Sequence, residues 1–108
     1  MYDINNIFAK IIRKEIPADI VFENDYVIVI KDKFPKAKTH ILILPKGEYM
    51  DIIDFNEKAS QTEKDEFFRI AYSYLKKLNH GKLNFNYKKE GGQEVFHLHA
   101  HILSEGAL

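Results

Sequence analysis

Near the C-terminal end of the chain, His97, His99 and His101 alternate with Phe96, Leu98, Ala100 and Ile102. Strict alternation of this kind marks a half-buried β-strand, expected here over Gln93 to Leu103. Successive side chains on a strand point to opposite faces, which puts the three imidazoles on one face and the apolar residues against a core. Just upstream, Gly91-Gly92-Gln93 offers backbone that a ligand can approach closely, because glycine has no Cβ in the way. Three of the chain's five histidines within five residues admit three explanations. A sheet face that merely carries histidines is one. A metal site is another, but His97 and His101 would stand ~13 Å apart along a strand. A zinc ion needs each nitrogen at ~2.0–2.1 Å, so the outer two could hardly share one ion. The third is a nucleophilic imidazole with its neighbours as donors and orienters, and the geometry favours it.

Such a group has to be held by the rest of the chain. Asn5-Asn6 can cap a first helix with Ile7, Phe8, Ile11 and Ile12 as its apolar stripe, ending at Arg13-Lys14 before Pro17. Ile20–Glu23 and Tyr26–Ile30 read as a hairpin turned at Asn24-Asp25, and Lys31–Lys38 as a loop. Thr39–Leu44 is an apolar run too short for a helix and predicts a central strand. Met50–Phe55 predicts a short helix. A longer one starts near Ser60, where Ser60-x-x-Glu63 forms a capping box. Phe67, Phe68, Ala71, Tyr74, Leu75 and Leu78 keep helical spacing, and Asn79-His80-Gly81 ends the helix with Gly81 in the left-handed conformation. Leu83–Lys88 alternates as a further strand. The expected fold is α+β: a mainly antiparallel sheet backed by one long helix, plus an N-terminal helix.

The 108 residues are expected to form a single domain, residues 1–108. Sixteen basic and sixteen acidic residues cancel, so no global field draws the protein to nucleic acid or to a membrane. The absence of cysteine excludes disulfides and thiolate metal sites, and fits a reducing compartment. No apolar run approaches ~18 residues, and the expected location is cytoplasmic.

The pattern His-φ-His-φ-His-φ-φ, where φ is apolar, preceded by Gly-Gly-Gln, resembles the signature of the histidine triad (HIT) superfamily. The small nucleotide-binding branch, which hydrolyses nucleoside phosphoramidates, is the best match. Branches that transfer nucleotides to sugar phosphates carry Gln at the third position, so His101 points to the hydrolases. The run Phe8–Ala18, FAKIIRKEIPA, resembles the opening of that branch, where the first helix (here carrying Phe8) and the residue matching Ile16 wall the base pocket. Asp32-x-x-Pro35-x-Ala37-x-Thr39-His40 matches the segment whose aspartate accepts hydrogen bonds from the ribose hydroxyls and whose histidine stands behind the triad. Asn86, seven residues before Gln93, has the spacing of an asparagine that contacts phosphate or ribose. The acidic-Gly pair expected after it is Tyr87-Lys88 here. Gly92, Gln93 and Glu94 fall where backbone N–H groups meet the phosphate.

The resemblance implies five strands, two main helices, a homodimer and no cofactor. It also implies a purine nucleotide substrate such as an AMP conjugate. In the implied reaction His99 attacks phosphorus, and His97 and His101 stabilise charge or supply a proton. The rival reading is a dimeric module that binds AMP-like ligands or a protein partner and hydrolyses only incidentally. The tail Ser104–Leu108 lacks the Trp that eukaryotic relatives place beside the leaving group. His80 and the lysines at 31, 33, 36 and 38 read as structural or solvated.

Overall fold

The run Ile41-Leu42-Ile43-Leu44 is apolar on both sides of a strand, and the fold uses both sides. In the computed structural model, which describes residues 1–108, these residues belong to β3 (Thr39–Pro45), buried along its whole length. With β1 (Ile20–Glu23), β2 (Val27–Lys31), β4 (Lys82–Asn84) and β5 (Ala100–Ser104) it forms an antiparallel sheet in the order β1-β2-β3-β5-β4. Helix α1 (Ile7–Ile12) packs Phe8 and Ile11 onto one face, against Ile28, Ile30, Leu42 and Leu44. Helices α2 (Ile52–Lys58) and α3 (Gln61–Leu78) close the other face. There Phe55, Phe67 and Ile70 meet Val27, Val29, Ile41, Ile43, Ala100 and Ile102. This is the expected α+β fold, a five-stranded sheet backed by a long helix. No helix is long and apolar enough to cross a membrane.

Local signals set the helix boundaries. Asn6 caps α1 by accepting from the Ala9 N–H. Ser60 and Glu63 bond each other's backbone N–H groups, completing the capping box of α3. The short helix runs later than expected, to Lys58, because Asp51 serves as its N-cap. At the end of α3 the left-handed C-cap is Asn79 (φ 71°), and Gly81 two residues on also has a positive φ, 143°. Gly81 is needed for close approach: a Cβ there would lie 2.7 Å from the Leu103 carbonyl oxygen.

Two strands are shorter than alternation predicts. The triad segment joins the sheet only at Ala100, although its facing alternates as expected: Leu98, Ala100 and Ile102 enter the core. The β3–β5 register would set Pro45 opposite Leu98, and Pro45 has no N–H to extend the ladder. The Leu98 N–H bonds the Tyr49 carbonyl instead, at 2.8 Å. Residues 95–97 bend away, which leaves Phe96 43% exposed rather than in the core. With no partner beyond Ala100, β4 stops at Asn84 instead of reaching Lys88.

Candidate active site

The β3–β5 register sets His101 opposite Leu42, and the β4–β5 register sets it opposite Asn84. His101 therefore lies on the α1 face of the sheet with His40 beside it. Their rings are joined by a 3.0 Å contact between His40 Nε2 and His101 Nδ1. His99 follows around the corner, its ring centroid 5.0 Å from that of His101 and 4.8 Å from the Phe8 ring.

The backbone assigns the protons. A carbonyl only accepts, so the 2.8 Å contact of His99 Nδ1 with the His97 carbonyl oxygen puts the proton on Nδ1. That leaves the Nε2 lone pair of His99 free. His97 Nε2 lies 2.8 Å from the Pro45 carbonyl oxygen and must carry the proton there. Its Nδ1 then accepts from the Tyr2 hydroxyl at 2.7 Å. The Lys36 N–H donates to His40 Nδ1 at 3.2 Å, so His40 holds its proton on Nε2 and passes a hydrogen bond to His101 Nδ1. His101 is left with a proton on Nε2, a buried nitrogen with no acceptor in the protein. The chain thus ends in a donor that the protein leaves unpartnered, near the imidazole of His99.

Burial keeps these rings neutral. It pushes His97 down to about 4, with a smaller effect from a charge on His99 and an opposing one from the Pro45 carbonyl. Burial also brings His101 to about 4, helped by the neighbouring His99 and His40. His99 and His40 are lowered mainly by burial as well, against the pull of the Asp32 carboxylate. A neutral imidazole attacks without prior deprotonation, so the environment suits nucleophilic chemistry at pH 7.

These groups open into a cleft of about 550 Å³. Phe8, Asp32, His40, Asn86, Gly92, Glu94, His99 and His101 line it together, although they come from segments scattered over most of the chain. Asp32 accepts from the Phe34 N–H at 2.8 Å through one oxygen. Its other oxygen lies 3.4 Å from His40 Nε2, so the carboxylate is held in place. Gly92 takes φ 93°, a conformation that favours glycine. Lys88 holds φ 62° and ψ 166° in the same loop, a backbone region that favours glycine; the loop is strained at that point.

Three expected contributors lie elsewhere. His97 is fully buried behind the cleft with both ring nitrogens engaged, so it has none to offer a phosphate. Gln93 is also buried. Its amide donates to the Met50 and Val95 carbonyls and accepts from the Lys88 N–H, which braces the loop rather than lining the site. Ile16 sits in a separate hollow with Ile11, Pro17 and Ala18. The sequence reading missed Tyr2, Lys82 and Asn84, and it set Lys36 aside as solvated although Lys36 lines the cleft. For Lys82 and Asn84 a signal existed, since they alternate with the core residue Leu83, but it needs the strand register to become legible. Tyr2 had none.

Asp32, His40 and His101 each bring a ligand atom within 4.8 Å of the others, a cluster that local spacing could not reveal. To bind a cation His40 would have to move its proton to Nδ1, where the Lys36 N–H already points. The observed arrangement is that of a hydrogen-bond relay.

Comparison with known proteins gives a consistent result. The HIT domain profile matches residues 13–107. An uncharacterized HIT-like protein of Rickettsia prowazekii is 38% identical over 107 residues, covering 95% of this chain and 89% of the relative. The purine nucleoside phosphoramidase of Escherichia coli is 39% identical over 100 residues, covering 90% of this chain and 84% of that enzyme. A HIT family hydrolase from Legionella pneumophila superposes with a TM-score of 0.83 at 36% identity, over 93% of this chain and 92% of the other.

Proposed function

The chain belongs to the HIT domain family, and from that premise we propose that it hydrolyses purine nucleoside monophosphates joined to an amine or a similar leaving group. The observation that carries this reading is the fixed tautomer of His99. Its Nδ1 proton is held by the His97 carbonyl oxygen, and its Nε2 lone pair faces the cleft. Asp32 takes the ribose hydroxyls, since a carboxylate accepts from both members of a vicinal diol. Phe8 packs against the base. Asn86 and the Glu94 N–H receive the phosphate. Ile16 and Gln93 act only indirectly, through the fold around the cleft.

In the first step His99 Nε2 attacks phosphorus in line, and the bond from phosphorus to the leaving nitrogen breaks. The departing electron pair takes a proton from His101. The bound phosphate's negative charge favours the protonated form of that ring, which makes it a competent acid. Water then attacks the nucleotidyl-histidine; the electron pair returns to His99 Nε2, and His101 accepts the water's proton. His40 positions His101 by the 3.0 Å approach of their rings. The substrate is an AMP-type conjugate and no cofactor takes part. The working unit is a homodimer.

Rapid quench with a labelled adenosine phosphoramidate tests this reading. Label should be trapped on His99 in the unmodified protein. His99→Ala should abolish turnover yet retain AMP binding, whereas loss of an acid–base helper typically costs ~10²–10⁴-fold. Label on His101, or near-normal turnover in His99→Ala, would overturn the proposal.

A further inference from the structure

The residues before α1 form no regular element, yet they are tied down. Asp3 accepts from the Asn5 N–H through its side chain, and its carbonyl accepts from the Asn6 side chain at 2.7 Å. Arg13 donates to the Ile4 carbonyl at 2.8 Å. This arm carries Tyr2 across to the triad segment, where its hydroxyl lies 2.7 Å from His97 Nδ1. The two rings pack edge to face, with centroids 5.7 Å apart, and Phe8 touches both His97 and His99.

His97 has no nitrogen facing the cleft, so its contribution passes through its backbone: its carbonyl oxygen holds the Nδ1 proton of His99. Two side-chain bonds orient the His97 ring, one to Pro45 in the sheet and one to Tyr2 in the arm. Pro45 holds one nitrogen of this fully buried ring, and Tyr2 holds the other. The Pro45 carbonyl sets the tautomer by holding the Nε2 proton, and the Tyr2 hydroxyl, donating to the bare Nδ1, sets the tilt of the ring. We propose that Tyr2 is a positioning residue: through His97 it holds the carbonyl that fixes the His99 tautomer and keeps Nε2 available for attack. This inference rests on the proposed role of His99 as nucleophile.

Tyr2→Phe removes the hydroxyl and keeps the ring packing. With an adenosine phosphoramidate, kcat should fall about tenfold, the rate equivalent of one neutral hydrogen bond, while KM and the melting temperature stay near those of the unmodified protein. Ring-nitrogen NMR supplies a readout independent of activity. In the unmodified protein His97 should show a bare Nδ1 and His99 a bare Nε2. In Tyr2→Phe the His97 Nδ1 resonance should shift as it loses its donor, and the His99 nitrogens should move toward a mixture of tautomers. Unchanged ring resonances with unchanged kcat would overturn the inference, and so would a change confined to KM. If the unmodified protein turns over no phosphoramidate but the tautomers still shift in Tyr2→Phe, the positioning role stands and the proposed reaction falls.

Discussion

Acid should loosen this fold through His97, and the amount follows from where the ring sits. The imidazole has no exposed surface, and burial brings it from its ordinary 6.5 to about 4. Above 6.5 the ring is neutral in folded and unfolded chains alike and adds nothing that depends on pH. Between 6.5 and about 4 the unfolded chain takes up a proton that the folded chain refuses, so stability falls as pH falls. Below about 4 the folded ring charges too, and the loss levels off. At ~1.36 kcal/mol per pH unit, the window is worth about 3 kcal/mol. Domains of this kind hold only ~5–15 kcal/mol in total, so the effect is large. His101 moves in the same direction, but it is partly exposed and water screens its share. His97→Gln removes the titration and retains an amide donor for the Pro45 carbonyl. Urea unfolding of both proteins at pH 7 and near pH 4 isolates the ring, because the carboxylates titrate alike in each. The unmodified protein should lose about 3 kcal/mol more than the variant over that interval. Parallel losses in the two proteins would refute the neutral, buried His97 on which the proton assignments depend.

Three further outcomes are expected. Replacing a bound nucleotide by its 2′-deoxy form should weaken binding by about 1–2 kcal/mol, one charge-assisted hydrogen bond, and Asp32→Ala should bind both forms alike; titration calorimetry measures both. Lys88→Gly should stabilise the protein by ~1–3 kcal/mol in urea unfolding, because the lysine occupies a backbone region that essentially only glycine enters without strain; a destabilised variant would contradict the loop geometry. Light scattering at micromolar concentration should give the mass of a dimer, since the sheet ends at the short edge strand β4 and Tyr72 of α3 is exposed; a monomer mass would sink that expectation.

What the sequence determined by itself is whatever depends on neighbours along the chain. The capping box at Ser60 and Glu63, the apolar run of β3 and the facing of Leu98, Ala100 and Ile102 against the histidines are set within a few residues. Each rests on a local period or a local hydrogen bond, and each was legible. The cluster of Asp32, His40, Asn86, His99 and His101 was legible only through a family resemblance, because no local rule ties Asp32 to residues far along the chain. Tertiary structure alone decided how the triad divides. The missing N–H of Pro45 ends the ladder, and His97 is left out of the cleft, although His97 and His99 look equivalent in the alternating pattern. It also decided that Gln93 braces a loop, that Lys88 accepts a glycine's conformation, and that Tyr2 reaches a histidine 95 positions away. These outcomes depend on strand register and on the path of the N-terminal arm. Both are settled by packing over the whole molecule, so no stretch of sequence carries them alone.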